Sequence, residues 1–227
     1  MQTAQDTIDF ERIRSFLAEG HRVALFIRHS ERPPISADDK NFGQHLGLTP
    51  RGIEMARSAG SRLQGATDVR FSASPMNRCR LTALHFAEGM GIIAPNIMDA
   101  EPLGVRGFYY EDAYAVQEAM RQQGYMPYML DYLEKGVAPH SAPIGPATEK
   151  TADWLTRQTT SQLGVFVSHD IFIASFLTGL NMRTFTADNW VGFLHGAALI
   201  HSPKTGWVCH ACVPCLNETA QPSHFVH

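Results

Sequence analysis

Three short strand-like runs along the 227-residue chain are each followed by a polar turn and then by a helical pattern. VALFI at 23–27 and LGVFV at 163–167 have the length and composition of buried strands, and VRFSA at 69–73 is predicted to be a short strand. The helical pattern after the first run begins at Thr49, and the one after the second begins at Ser74. Each of these residues precedes a proline, which is typical of the start of a helix. The chain therefore repeats a strand–turn–helix unit.

This alternation predicts an α/β fold, a three-layer α/β/α sandwich with a mainly parallel sheet and helices on both faces. Two segments depart from the alternation. Residues 104–146 combine helical stretches with a loop, and we interpret them as a small helical insertion that caps the sheet edge. Residues 195–213 contain two β-rich runs separated by a turn at 203–206, which predicts a C-terminal β-hairpin at the sheet edge. The length suits a single domain over residues 1–227.

The first 20 residues lack the apolar core of a signal peptide. The spacing of Ile8, Phe10, Ile13, Phe16 and Leu17 instead predicts an amphipathic helix. No apolar run reaches the length of about 18 residues that a membrane span requires. Hydrophobic residues make up 44% of the chain and the formal net charge is -3, so no general attraction to nucleic acid or an anionic membrane is expected. We expect a soluble, cytoplasmic protein without nucleic-acid or membrane partners.

Polar and cationic residues gather where the predicted strands end. In chain order they are Arg28, His29 and Arg32, then Ser74 and Arg78, then His169 and Asp170. In sheets of this kind, ligands bind outside the carboxyl ends of the strands. Arginine suits bidentate recognition of phosphate, and cations this close together repel one another unless an anion lies among them. The pattern predicts a site for a phosphoryl group.

The same residues resemble a known family. RHSERPP, which begins at Arg28, is similar to the RHGxRxP signature of the histidine phosphatases, specifically their acid phosphatase and phytase branch, with Ser30 in place of Gly. Three further blocks resemble those of the family in the expected order: LTPRG at 48–52, SPMNRCRLTA at 74–83 and SHD at 168–170. The resemblance spans residues 22–180. It implies a phosphoglycerate mutase-like fold and metal-independent hydrolysis of a phosphomonoester.

The resemblance also implies a role for each matched residue. His29 would be the nucleophile and would form a phosphohistidine intermediate. The phosphate oxygens would be bound by four side chains: Arg28, Arg32, Arg78 and His169. Asp170 would protonate the leaving oxygen and then accept a proton from the attacking water. No cofactor or metal is implied, and the expected partners are a small phosphorylated substrate and inorganic phosphate.

The proton donor has an alternative. The shorter branch of the family, which includes the mutases, uses a glutamate located between the SPxxR block and the second histidine. In that stretch this chain offers Glu101 and Glu111. We favour Asp170 because the SHD block places an aspartate directly beside His169. Arg106, in the same stretch, could reach the phosphate or the substrate tail, or it could be an exposed loop residue.

Substrate identity is not implied, because the insertion is much smaller than the helical domain that selects substrates in the longer branch. Candidate pocket residues are Ser30, Glu101 and Arg106. Ser30 would either narrow the pocket or donate a hydrogen bond to a phosphate oxygen. Five tyrosines could line a specificity pocket or belong to the core: Tyr109, Tyr110, Tyr114, Tyr125 and Tyr128.

Other functions are compatible with the same residues. A phosphomutase would return the phosphoryl group to a sugar or a glycerate, and a non-catalytic module would bind phosphate without turnover. The CHACVPC segment at 209–215 resembles part of a metal ligand set, but a fourth ligand and a second knuckle are missing. We interpret its cysteines as core residues or occasional disulfide partners. The oligomeric state is not predicted.

Overall fold

The computed structural model describes residues 1–36, 39 and 43–215, which form a seven-stranded sheet with helices on both faces. The strands are β1 (Gln2–Asp9), β2 (Arg22–Arg28), β3 (Val69–Ala73), β4 (Ile97–Asp99), β5 (Leu163–Ser168), β6 (Gly196–Ser202) and β7 (Gly206–Val213). The helices are α1 (Phe10–Ala18), α2 (Pro50–Ser61), α3 (Asn77–Gly89), α4 (Ala113–Gln123), α5 (Tyr125–Lys135), α6 (Ile144–Gln158) and α7 (Asp170–Gly179), with a 3-10 turn at Glu101–Leu103.

The strand order in the sheet is β1-β7-β6-β2-β5-β3-β4. Strands β2, β5, β3 and β4 pair in parallel, β1 pairs in parallel with β7, and β6 is antiparallel to both of its neighbours. Helices α1 to α3 bury apolar side chains against one face of the sheet, and α4 to α7 do so against the other. The predicted three-layer sandwich with a mainly parallel sheet is therefore confirmed.

Strand β2 shows why the apolar run ends where the site begins. Successive side chains of a strand point to opposite faces, so Leu25 and Ile27 enter the core under α1 to α3, while Phe26 enters the core under α4 to α7. A strand that is buried on both faces needs a continuous apolar run. The run ends at Arg28, the last residue of β2, where the chain leaves the two cores.

The N-terminal segment differs from the prediction. The expected helix included Ile8, but this residue lies in β1, and α1 begins only at Phe10. The carboxylate of Asp9 accepts a hydrogen bond from the backbone N–H of Arg12 at 2.9 Å and so caps the helix. The side chain of Ile8 is the only fully buried one in β1, so the strand carries no alternating pattern that the sequence could display.

Strand β1 also changes the position of the C-terminal hairpin. Strands β6 and β7 do form the predicted hairpin, but β1 pairs with β7 from Gln2 to Asp9. The described edges of the sheet are therefore β1 and β4, and the prediction that the hairpin lies at the edge is wrong. The pairing of β1 depends on backbone hydrogen bonds, which the side-chain pattern of the hairpin does not reveal.

Residues 104–146, interpreted above as an insertion, contain α4 and α5. Helix α5 packs against α7, and its residues Tyr128, Met129 and Tyr132 are buried in the same core as that helix. Helix α5 therefore lies on the same face of the sheet as α7, which begins at Asp170, two residues after the end of β5. Within the described parts of the chain, no helix is long and apolar enough to cross a membrane.

Helices α2 and α3 approach each other closely through glycine. A Cβ atom added to Gly60 of α2 would lie 1.9 Å from the carbonyl oxygen of Phe86 in α3. We expect Gly60→Ala to push the helices apart and to lower the free energy of unfolding by about 1 to 3 kcal/mol, measured by urea denaturation. Gly145→Ala in α6 is the control, because no atom lies within 4 Å of the added carbon. Equal losses in both variants would contradict the prediction.

Candidate active site

The register of the sheet brings three chain segments together at the carboxyl ends of its parallel strands. Arg28 of β2 lies opposite Ser168 of β5, and Val167 of β5 lies opposite Ala73 of β3. The strands are parallel, so the residues that follow them emerge side by side. The backbone N–H of His29 donates to the Ser168 carbonyl at 2.9 Å, which joins two of these segments directly.

The imidazole of His29 is oriented by its own loop. Its Nδ1 lies 2.7 Å from the carbonyl oxygen of Ser30, and a carbonyl can only accept, so Nδ1 carries the proton. Nε2 is left with a lone pair. Burial, followed by the charges of Arg78 and Arg28, lowers the pKa of His29 well below its ordinary value. His29 is therefore a neutral imidazole at neutral pH, as a nucleophile must be.

His169 lies beside His29, with the two ring centroids 5.6 Å apart. Its Nδ1 accepts from Nη2 of Arg78 at 3.2 Å, because a guanidinium only donates. Its Nε2–H therefore donates to the hydroxyl oxygen of Ser74 at 2.9 Å. Burial and the charge of Arg78 lower the pKa of His169 well below its ordinary value. His169 is thus neutral and held at both ring nitrogens.

The position of Ser74 before a proline predicted that it caps a helix, but in the structure it does not. Helix α3 begins at Asn77, and its N-cap residue Met76 makes no side-chain hydrogen bond. The backbone N–H of Ser74 donates to the Val167 carbonyl at 2.9 Å, which ties the loop to the end of β5. This contact holds the hydroxyl against His169, so tertiary pairing overrides the local capping signal.

Three guanidinium groups surround the histidines. The Nε–H groups of Arg28, Arg32 and Arg78 are buried and have no hydrogen-bond partner among the described residues. Burial and the charge of Arg78 lower the pKa of Arg32 to about 10, which still leaves it cationic at neutral pH. Buried donors of this kind ordinarily have partners. The site can therefore accept an anion that offers several oxygen atoms.

Arg28 and Arg78 are fixed in place by backbone carbonyls. Nη1 of Arg28 donates to the carbonyl of Val191, and Nη1 of Arg78 donates to that of Gly43 at 2.9 Å. The ring of Phe193 lies 4.3 Å below the guanidinium of Arg28, an additional favourable contact. The positions of these two charges are therefore set before any ligand binds.

Asp170 lies at the first turn of α7, next to His169. Its Oδ2 accepts from the indole N–H of Trp190 at 3.1 Å and lies 3.2 Å from Nη2 of Arg28. Burial by itself would raise the pKa of the Asp170 carboxyl. The charge of Arg28 and the hydrogen bond from Trp190 outweigh burial and hold this pKa below its ordinary value. Asp170 is therefore a carboxylate at neutral pH in the free protein.

The hydroxyl of Ser30 is bonded to the protein backbone. It donates to the carbonyl of Gly52 at 2.7 Å, and the Ser30 N–H donates to Thr82 Oγ1 at 2.9 Å. The residue joins the His29 loop to helices α2 and α3. A hydrogen bond from this hydroxyl to phosphate would require it to leave Gly52.

We expect Ser30→Ala to lower the free energy of unfolding by about 1 kcal/mol, because one buried hydrogen bond is lost. The Ser30 carbonyl that orients His29 is retained, so we expect less than a fivefold change in kcat on an aryl phosphate, or about 1 kcal/mol. Thermal unfolding and steady-state kinetics measure the two effects. A large loss of activity without loss of stability would show that the hydroxyl acts on the ligand.

In the described part of the chain, three other predicted residues make their ion pairs and hydrogen bonds outside the side chains of this cluster: Glu101, Arg106 and Glu111. The side chain of Arg106 is 77% exposed, and its Nε lies 4.0 Å from Oε2 of Glu101. Glu101 follows Ala100, whose N–H donates to the carbonyl of Ala73 at the end of β3, so Glu101 lies at the same sheet edge. Glu111 is exposed, and its backbone N–H donates to the carbonyl of His140.

Some residues around the site carried no clear sequence signal. Trp190, Val191 and Phe193 belong to a segment without helix or strand before β6, and each contacts Arg28 or Asp170. Cys79 packs under His169, with its sulfur 3.6 Å from Nε2. Burial raises the pKa of this thiol to about 12, so it packs as a neutral group. A tryptophan in a turn-rich segment is the one hint that the sequence contains.

The CHACVPC cysteines do not form a ligand set. Cys209 and Cys212 are three residues apart in β7, so their side chains point to opposite faces and enter different cores. All four cysteines are free thiols, and no group of three or more possible ligands occurs within residues 1–36, 39 and 43–215. The interpretation of Cys209 and Cys212 as core residues agrees with their burial.

One family model matches the part of the chain that contains three of the four motif blocks. Residues 24–101 match the family model of the histidine phosphatase superfamily, branch 1. The matched segment contains the RHSERPP, LTPRG and SPMNRCR blocks and ends at Glu101. The match does not confirm the more specific assignment to the acid phosphatase and phytase branch. No curated protein is significantly similar to the chain in sequence.

Solved structures share the fold at low sequence identity. "Mycobacterial hydrolase 2" is 16% identical, with 90% of this chain and 94% of that chain covered and a TM-score of 0.54. Mycobacterial glucosyl-3-phosphoglycerate phosphatase is 16% identical, with 84% and 97% covered and a TM-score of 0.52. Phosphoglycerate mutase from Bacillus anthracis is 11% identical, with 86% and 93% covered and a TM-score of 0.52. Residues 24–101 thus resemble the histidine phosphatase superfamily, and the chain as a whole shares the fold of these solved structures.

Proposed function

We propose that this protein hydrolyses a small phosphomonoester through a phosphohistidine formed on His29, without a metal ion. One observation carries the proposal. Three buried guanidinium Nε–H groups without protein partners among the described residues surround a neutral imidazole whose Nε2 lone pair is available. Cations that bind the phosphate oxygens and a nucleophile that attacks phosphorus are the two requirements of phosphoryl transfer.

In the first step, Nε2 of His29 forms a bond to phosphorus while the bond from phosphorus to the leaving oxygen breaks. Arg28, Arg32 and Arg78 stabilise the charge on the three remaining oxygens. Asp170 gives its proton to the leaving oxygen, so the alcohol departs neutral. The Nδ1–H of His29 keeps its hydrogen bond to the Ser30 carbonyl, which stabilises the positive charge that the ring acquires.

In the second step, a water molecule attacks phosphorus and gives a proton to the carboxylate of Asp170. The bond between Nε2 and phosphorus breaks, and inorganic phosphate leaves with His29 neutral again. The cycle returns Asp170 in its protonated form, ready for the next leaving group.

Asp170 must take up a proton before the first step, since it is a carboxylate in the free protein. Its low pKa depends largely on the charge of Arg28. A bound phosphate dianion engages that guanidinium and adds negative charge nearby, which raises the pKa of the Asp170 carboxyl. Substrate binding thus supplies the condition for general acid catalysis. Glu101 is the alternative donor, and it lies at the same sheet edge, next to Arg106.

Hydrolysis of p-nitrophenyl phosphate in the presence of a chelator tests the proposal. Arg78→Gln and Arg80→Gln form a matched pair, because these arginines are two residues apart in α3 and only Arg78 is buried at the site. We expect Arg78→Gln to lower kcat by about 10²- to 10³-fold, as loss of a transition-state donor does, and Arg80→Gln to leave it unchanged.

Other outcomes would point to other functions. Tight binding of inorganic phosphate without hydrolysis of any phosphomonoester would indicate a non-catalytic module. Isomerisation of a phosphoglycerate, detected by NMR spectroscopy, would indicate a mutase. Equal losses in the two arginine variants would mean that the overall charge of the protein determines the rate, and not the position of the Arg78 guanidinium at the site.

A further inference from the structure

We propose that the alcohol part of the substrate carries a flat aromatic ring, which aromatic side chains beside His29 and Asp170 receive. This inference rests on the proposed function and adds a substrate class to it. The side chains concerned are Tyr110, Tyr125, Phe172, Trp190 and Phe193. We call them the aromatic wall.

Phe193 lies against the nucleophile. Its ring centroid is 6.0 Å from that of His29, and the guanidinium of Arg28 lies over the same ring. Phe193 is only partly buried, unlike His29 beside it. A group attached to a phosphoryl centre at Nε2 of His29 would meet this ring early.

Trp190 and Tyr125 lie beside the proposed proton donor. The indole of Trp190 donates to Asp170, and the ring of Tyr125 packs edge-on against it with the centroids 6.3 Å apart. Burial, followed by the charge of Asp170, raises the pKa of the Tyr125 phenol well above its ordinary value, so its hydroxyl stays protonated near the carboxylate. The leaving oxygen must approach Asp170, which brings the carbon attached to it towards the buried Trp190 and the partly buried Tyr125.

Phe172 and Tyr110 continue the aromatic wall next to the second histidine. The ring of Phe172 lies 6.0 Å from that of His169, and the ring of Tyr110 lies 5.4 Å from that of Phe172. Tyr110 and Tyr125 come from the segment 104–146, and Phe193 comes from the segment before β6. Aromatic rings from three parts of the chain thus converge on the catalytic groups.

The charges nearby disfavour an anionic leaving group. Arg51, at the start of α2, lies 3.2 Å from Glu31, and Arg106 lies 4.0 Å from Glu101, so each of these arginines already faces a carboxylate. A glycerate leaving group would need to displace one of these carboxylates or lie against the aromatic wall. An uncharged flat ring has neither cost, and it gains contacts with the faces and edges of the surrounding rings.

The depth of the site limits the size of the substrate. Only 2% of His29 and 8% of Asp170 is exposed. Such burial favours a phosphate on a short stem with one ring over a phosphate on the surface of a large globular protein. The inference therefore concerns small aromatic phosphomonoesters.

Benzyl phosphate and cyclohexylmethyl phosphate test the inference. Both release a primary alkoxide of similar size and reactivity, and they differ in whether the ring is flat and aromatic. We expect kcat/KM to favour benzyl phosphate by about threefold to tenfold, the range of an aromatic contact beyond its buried area. We expect 3-phosphoglycerate to be the poorest of the three substrates. Equal values for the two ring substrates, or a preference for 3-phosphoglycerate, would overturn the inference.

Phe193→Leu should make the kcat/KM values for benzyl phosphate and cyclohexylmethyl phosphate about equal, because the aromatic contact is replaced by an aliphatic one. A purely structural effect would lower both rates equally and leave the ratio intact, which would count against the role of Phe193. Tyr114→Leu is the control, since Tyr114 is 73% exposed on α4 and should not affect the ratio.

Binding without chemistry provides a second measurement if Phe193→Leu does not fold. Benzylphosphonate should inhibit hydrolysis of p-nitrophenyl phosphate more strongly than cyclohexylmethylphosphonate in the unaltered protein. Equal inhibition would refute the inference while hydrolysis itself leaves the proposed function standing. If none of these esters, including p-nitrophenyl phosphate, is hydrolysed, the proposed function fails and the substrate class fails with it.

Discussion

His29→Ala is expected to reduce hydrolysis of p-nitrophenyl phosphate by at least about 10⁴-fold, because the group that forms the bond to phosphorus is removed. The three guanidinium groups remain, since those of Arg28, Arg32 and Arg78 donate to the carbonyls of Val191, Pro33 and Gly43 and not to His29. Binding of inorganic phosphate should therefore persist, as measured by calorimetry. Loss of turnover with retained binding separates a missing nucleophile from a collapsed site.

A covalent intermediate gives a more direct test of the same assignment. Protein quenched in alkali during turnover of a ³²P-labelled substrate should carry label, and the label should disappear in His29→Ala. Alkali is needed because phosphohistidine hydrolyses in acid. His85→Ala is the control, since His85 lies on α3 and contacts Glu88 at 2.8 Å. Full activity in His29→Ala would refute the nucleophile assignment.

Asp170→Asn is expected to slow hydrolysis of alkyl phosphates by about 10²- to 10⁴-fold and that of p-nitrophenyl phosphate much less. A poor leaving group needs a proton in the transition state, whereas nitrophenolate leaves without one. The amide oxygen can replace only one of the two carboxylate oxygens that accept from Trp190 and from the backbone N–H of Ile171, so an unchanged thermal unfolding temperature is the control for the local structure. Kinetics on benzyl phosphate and p-nitrophenyl phosphate measure the difference.

Glu101→Gln distinguishes the two proposed donors. If Glu101 supplies the proton, the selective loss on alkyl phosphates will occur in this variant and not in Asp170→Asn. Equal losses on both substrates in Asp170→Asn would show that the carboxylate positions Arg28, from which it lies 3.2 Å, without transferring a proton.

The pH profile follows from the directions of the pKa shifts. His29 must be neutral to attack, and its pKa lies well below the ordinary value, so kcat/KM should fall only at pH values well below 6.5. Asp170 must be protonated in the complex, so kcat on alkyl phosphates should fall as pH rises through its pKa there. The second fall should be absent in Asp170→Asn.

The polar residues at the strand ends could be located from the sequence because the apolar runs end beside them. A strand that is buried on both faces requires a continuous apolar run, and Arg28 and His169 stand where two of these runs stop. Parallel strands place their carboxyl ends at one edge, so the alternation of strands and helices was sufficient to predict that His29, Arg78 and Asp170 share a site. Its residue types then favoured a phosphoryl ligand.

Orientation and neighbours depended on contacts between distant segments. Ser30 carries a hydroxyl that suits a phosphate site, yet packing against α2 directs it to Gly52. Ser74 precedes a proline like a helix cap, yet pairing of its loop with β5 directs it to His169. No local pattern contains either partner, because each lies more than 20 residues away in the chain.

The pairing of β1 and the assembly of the aromatic wall both depend on contacts between distant parts of the chain. Chain order and side-chain periodicity determined the layers, the strand ends and the charges that meet there, because burial imposes a repeating pattern on the sequence. The pairing of β1 with β7, the tautomers of His29 and His169, and the convergence of Trp190 and Phe193 on Asp170 and Arg28 impose no such pattern. They depend on hydrogen bonds and ring contacts between segments that meet only when the chain has folded.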